Sequence, residues 1–154
     1  MDRTAALSFL TDWSGSECKV VPAIDSIPLT ELISTFEREH GFQPDDGYGG
    51  LIPQHYDYGP LGRYFMADFD HDSHWKNLGG VWVLGCECGE VGCWPLQCRI
   101  RSDGRNVTWD NFKQPHRPGR DYSQFGPFIF VQHQYEAAVA NLSEELTSKT
   151  PSNR

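Results

Sequence analysis

At 154 residues the chain fits a single domain, long enough to bury roughly two thirds of its unfolded surface. Its formal net charge of −8 argues against non-specific nucleic-acid binding, because phosphates are held by Lys and Arg. Only 38% of residues are hydrophobic but 13% are aromatic, so much of the core must be Trp, Tyr and Phe, and 15 Gly with 10 Pro imply many turns.

The first residues, MDRTAALSFLTDW, lack the basic-then-apolar layout of a secretory signal, since Asp12 interrupts them early. No stretch approaches the roughly 18 to 20 apolar residues that cross a bilayer. The expectation is a cytoplasmic protein with no membrane contact, whose five cysteines stand in a reducing compartment.

Residues 1–17 carry Ala5, Leu7, Phe9, Leu10 and Trp13 at a spacing read as a short amphipathic turn or helix. Cys18 to Ile24 reads as a strand on its β-branched content, with Cys18 a buried structural thiol. Over 27–40, Leu29, Leu32, Ile33, Phe36 and His40 form one helical stripe. Asp25 or Ser26 would cap that helix, Pro28 is tolerated in its first turn, and Gly41 would end it.

From Phe42 to Asn77, Gly and Pro break every pattern, yet Tyr48, Tyr56, Tyr58, Tyr64, Phe65 and Phe69 argue for an ordered, aromatic-stapled excursion. A short element is expected at Leu61 to Asp68, and this segment is the first choice for a ligand or partner surface. Val81 to Leu84, apolar on both faces, predicts a central strand. Trp94, Leu96, Cys98 and Ile100 alternate with polar residues, as in a half-buried antiparallel strand. Asp103-Gly104 is a turn, and Val107 to Phe112 returns as a strand with Val107, Trp109 and Asn111 on one face. A loop over 113–127 and a short edge strand from Phe128 to Val131 precede a second helix, 132–146, with Tyr135, Ala138, Val139, Leu142 and Leu146 on one face.

Chemistry concentrates between Gly79 and Arg101, which holds four cysteines. Cys86, Cys88 and Cys93 read C-x-C-x4-C across the glycine-rich turn CECGEVGC, where alternation and a sharp reversal would gather three thiols on one ion. A tetrahedral zinc site wants four donors. Cys98 supplies the fourth by counting, but it shares a face with Leu96 and Ile100 as a core thiol would; His116, in the later loop, is an equal candidate. Reduced thiols without metal, or a disulfide, are the competing readings.

A second cluster, Asp68, Asp70, His71, Asp72 and His74, has donors for a divalent ion, but Ser73 and Gly79 stand where a calcium loop needs Gly and Glu. A solvated acidic loop is its plainer reading. His116, Arg117 and Arg120 with Asp121 could grip an anion. No G-x-S-x-G elbow and no phosphate-binding glycine loop occurs.

The runs GCECGEVGCWPL, VTWDNFKQPHR, YSQFGPFIF and QYEAAVANL resemble a group of small uncharacterised bacterial proteins. These share C-x-C-G-E-x-G-C, W-x-x-F, F-G-P-F and Q-Y-E-x-A. The likeness covers about Val81 to Leu142, includes Cys86, Cys88 and Cys93 but not Cys98, and implies a bacterial, cytosolic setting with no activity to carry over. The cysteine spacing also resembles, locally, the post-SET zinc motif, though nothing else here resembles a SET methyltransferase.

The expected architecture is α+β: an antiparallel meander sheet of about four to five strands with two flanking helices, one domain over 1–147 and a flexible tail over 148–154. The expected function is a non-enzymatic protein-interaction domain, antitoxin- or immunity-like by analogy, with a zinc-binding hairpin and a protein partner. A metal-dependent hydrolase using Asp68 to His74, or a thiol redox or metal sensor, are the alternatives.

Overall fold

The computed structural model describes residues 4–44, 47–68 and 80–149. The chain is α+β, with an antiparallel five-stranded sheet and a smaller three-stranded one. The small sheet comprises β1 (Leu7–Ser14), β2 (Glu17–Ile24) and β3 (Ile27–Pro28). The large one runs in the order β4 (Tyr48–Gly49), β5 (Val81–Cys86), β6 (Leu96–Ser102), β7 (Asn106–Lys113) and β8 (Phe128–Val131). Three helices complete it: α1 (Leu29–Glu39), α2 (Leu61–Tyr64) and α3 (Gln132–Lys149). Among the described residues, no helix is long and apolar enough to cross a membrane.

Two single bridges join the sheets into a ring. Ala5 lies parallel to Phe130 of β8, its amide donating to the Ile129 carbonyl at 2.7 Å. Val20 of β2 and Leu51, just past β4, exchange both backbone bonds at 2.8 and 2.9 Å. Backbone pairing therefore passes from β2 through β1, β8, β7, β6, β5 and β4 and back to β2. Gly50 permits the second junction: a Cβ there would sit 2.8 Å from the Val20 nitrogen, so no larger residue fits between these backbones.

The amino-terminal helix expected over 1–17 is instead β1. Leu7, Phe9, Thr11 and Trp13 alternate inward, a period of two that the exposed Leu10 disguises. Asp25 and Ser26, both at positive φ, make the β2–β3 turn rather than capping α1, whose N-cap is Pro28 without a side-chain bond. Gly41 does end α1, and Leu29, Ile33 and Phe36 are its buried stripe. His40 stacks on Phe36 with ring centroids 4.0 Å apart.

The aromatic excursion is ordered where described. Tyr48, Tyr58, Tyr64 and Phe65 are buried, and the Tyr64 hydroxyl exchanges hydrogen bonds with both backbone groups of Trp82 (2.7 and 2.9 Å), as a neighbouring strand would. Fully buried Trp109 on β7 donates its indole N–H to the Tyr135 hydroxyl of α3 at 2.9 Å, and that hydroxyl donates to the Phe65 carbonyl. Trp82, Trp94 and Phe128 pack only at the rim of this core.

Three further expectations change. Asn111 does not share a face with Trp109: at φ +56° it stands exposed in a bulge against β6, which turns Phe112 inward. β8 is not an edge, because Ala5 covers it. The last helix continues through Lys149, past the expected end at 146.

Candidate metal centre

Strand β5 ends on Cys86, and its position there is fixed from both sides. Cys86 pairs with Tyr48 of β4, and the next amide, Glu87, donates to the Gly47 carbonyl at 2.8 Å. The chain then reverses in two steps. Gly89 donates back to the Cys86 carbonyl at 3.0 Å while holding φ +99°, a conformation an L side chain rarely adopts. A single 3-10 turn, Val91–Cys93, follows, with the Cys93 amide on the Glu90 carbonyl at 3.1 Å.

The outcome is that the Sγ atoms of Cys86, Cys88 and Cys93 all lie within 4.8 Å of one another. Thiolates around a tetrahedral zinc at about 2.3 Å stand about 3.8 Å apart, so small side-chain rotations would close these three on an ion. Cys86 is half-buried and the other two are exposed.

The three thiols are not equivalent. A backbone hydrogen bond from Glu90 draws the Cys88 thiol below its ordinary value, and the Cys86 side chain adds to the effect. Burial pushes Cys86 up. Cys93 is raised first by its hydrogen bond to Cys88. The arrangement is one thiolate at Cys88 flanked by two thiols that donate to it, a pocket already biased toward the deprotonated state that metals require.

Neither expected fourth ligand joins this group. Cys98 pairs with Val81 inside the sheet, 1% exposed, and burial holds its thiol well above the ordinary value. The alternation of β6 commits it to the core, as its neighbours Leu96 and Ile100 suggest. His116 does reach the knuckle, but it spends its Nε2–H on the Gly92 carbonyl at 2.7 Å.

A second histidine, His55, which sequence reasoning missed, grips the same turn from the other side. Its Nδ1 lies 3.2 Å from the Gly89 carbonyl and its Nε2 2.8 Å from the Glu17 carboxylate. Both partners are acceptors, so both ring nitrogens donate and the ring takes its imidazolium form; Glu17 first, then Gly89, raise its pKa. Nothing local in QHYDYG announces this, because the partners lie far along the chain in both directions. Beside the turn opens a cavity of about 490 Å³ lined by Ile52, His55, Tyr56, Tyr58, Cys88 and Val91, among others.

Of the acidic cluster, only Asp68 is described: it is exposed, 3.4 Å from the Arg63 guanidinium. Asp70, His71, Asp72 and His74 lie outside the described residues. The arginines of the expected anion grip are engaged internally. Arg120 is nearly buried and pairs with the fully buried Glu37 at 3.2 Å, while Arg117 donates to the His116 carbonyl and lies over Trp94, 4.9 Å from its ring centroid. Glu37 also accepts from the hydroxyls of Tyr48 and Tyr122 at 2.7 and 2.6 Å. On a stripe reading of α1, Glu37 belonged to the solvent face; its burial depends on partners from three other segments.

No known protein family, curated protein or solved structure matches this chain.

Proposed function

We propose that the protein is a non-enzymatic interaction domain whose cysteine turn is a structural zinc knuckle. The convergence of the Cys86, Cys88 and Cys93 sulfurs within 4.8 Å carries this reading. Support comes from the surroundings of the turn. His55, from the aromatic excursion, and His116, from the loop after β7, both hydrogen-bond its glycine carbonyls. An ion held there would fix one node at which three separate segments meet, which is a stabilising task rather than a catalytic one.

The partner is a protein of complementary, basic character, given the net charge of −8, and an antitoxin- or immunity-like role in a bacterial cytoplasm suits such a domain. Purified protein should contain one zinc per chain, and Cys88→Ser should lose that zinc together with a melting temperature several degrees higher, about what 1–2 kcal/mol represents at this size. Absence of metal together with an unchanged melting temperature for the variant would overturn the knuckle. For the interaction itself, a pull-down from the native host must return a stoichiometric partner, and repeated failure at micromolar concentration counts against it.

A further inference from the structure

We infer that the zinc held by Cys86, Cys88 and Cys93 takes its fourth ligand from outside the chain, as the sulfur of a small thiol whose carbon body lies in the adjoining cavity. The inference rests on the zinc reading above and deepens it.

The donor set is the first ground. Among the described residues, only these three sulfurs converge. Cys98 is sealed in the core at 1% exposure, and the ring nitrogens nearest the turn, His55 Nδ1 and His116 Nε2, are turned to the carbonyls of Gly89 and Gly92. Structural zinc sites are closed by four protein ligands; three protein ligands are the mark of a site that receives a fourth from elsewhere.

The cavity is the second ground, and it is independent of the sulfurs. At about 490 Å³ it lies in the range of small-molecule sites, and Cys88 forms part of its wall. Ile52, Tyr56, Tyr58 and Val91 give it apolar surface suited to a carbon skeleton. Both the turn and the cavity have persistent shapes: Val91 is buried, and Tyr56 packs on Tyr58 and Trp82 with ring centroids 5.1 and 5.7 Å away.

The chemistry of the ion selects sulfur. Three thiolates make the zinc soft and electron-rich, with a net charge of −1 on the assembly, so it is a poor acceptor for hard oxygen ligands and a good one for another sulfur. A thiol that coordinates zinc loses its proton outright. Binding therefore forms one Zn–S bond as the S–H bond breaks, and the proton passes to solvent. No electrons are transferred.

Cobalt(II) reports the ligand set directly, because its visible and sulfur-to-metal charge-transfer bands distinguish three sulfurs from four. Wild-type protein loaded with one cobalt should show a three-sulfur spectrum in thiol-free buffer. Titration with 2-mercaptoethanol should convert it to a four-sulfur spectrum saturating at one thiol per cobalt, with release of one proton. Phenylmethanethiol should bind about tenfold more tightly, from burial of its ring, and Tyr56→Ala should remove that preference while leaving 2-mercaptoethanol unaffected. Failure to bind cobalt at all would overturn the zinc reading. Cobalt bound without any response to thiol, or a four-sulfur spectrum in thiol-free buffer that Cys98→Ala abolishes, would overturn only the present inference. Tighter binding of an acetylated, amidated Gly-Gly-Cys-Gly-Gly peptide than of phenylmethanethiol would overturn the small-molecule source and assign the sulfur to a partner chain.

Discussion

Charged side chains in this protein are placed where their partners, not their sequence neighbours, decide their state. Asp110 on β7 receives a bidentate grip from Arg99 across the strand pair, at 2.9 and 3.0 Å, and a third contact from Arg101 at 3.0 Å. The Arg99 hydrogen bonds, above all, hold its carboxyl below the usual range. A depressed carboxyl contributes stability above the unfolded value of roughly 3.9 and loses it as pH falls through the lower folded value. Asp110→Asn should therefore cost about 0.5–1 kcal/mol at pH 7 and nothing near pH 2, read from urea midpoints at the two pH values. The sequence offered Arg99 and Arg101 as a basic patch; cross-strand register, which no local pattern reveals, turns them into partners of one carboxylate. Glu37 shows the opposite extreme. It is 0% exposed, and its partner Arg120 stands 83 positions away. Glu37→Gln would leave a nearly buried guanidinium without a counter-charge and should destabilise by about 3 kcal/mol or more, whereas the double variant Glu37→Gln, Arg120→Met should recover part of that loss. Equilibrium unfolding of the four proteins in this cycle gives the coupling directly.

At the scale of elements, periodic stretches were legible and junctions were not. The helices over 27–40 and 132–146 appear as Leu29–Glu39 and Gln132–Lys149, and the strands around the cysteine turn fall where apolar alternation placed them. Convergence of Cys86, Cys88 and Cys93 was readable too, because the turn is local. β1 was not, since Leu10, 47% exposed, adds an apolar residue to the solvent face and blurs a period of two into something helical. The junction at Gly50 depends on a close approach between strands 30 positions apart in sequence (Val20 to Gly50), which composition cannot express. Gly50→Val tests that junction. It should force β2 and the β4 segment apart, cost about 1–3 kcal/mol, and speed hydrogen exchange at the Val20 and Leu51 amides while sparing Trp109 on β7.

For the whole molecule, the ring of backbone pairing decides which surfaces are left over. With β1, β4 and β8 each joined to a neighbour, few long strand edges remain to recruit another chain, so association falls to side chains and to the face bearing the cysteine turn. The same ring was invisible from sequence because each sheet alone satisfies the expected meander. Its closure also ties the earliest part of the fold to the latest. Ala5 pairs with β8, Gln134 of α3 holds both backbone groups of Leu7, and Glu145 accepts from Thr11 and Trp13. During synthesis, the β1–β2 hairpin emerges from the ribosome long before any of those partners exist. It must wait, with Leu7, Phe9 and Trp13 uncovered, until the final helix has left the exit tunnel, so the newborn chain is a client for chaperones for nearly the whole of its translation.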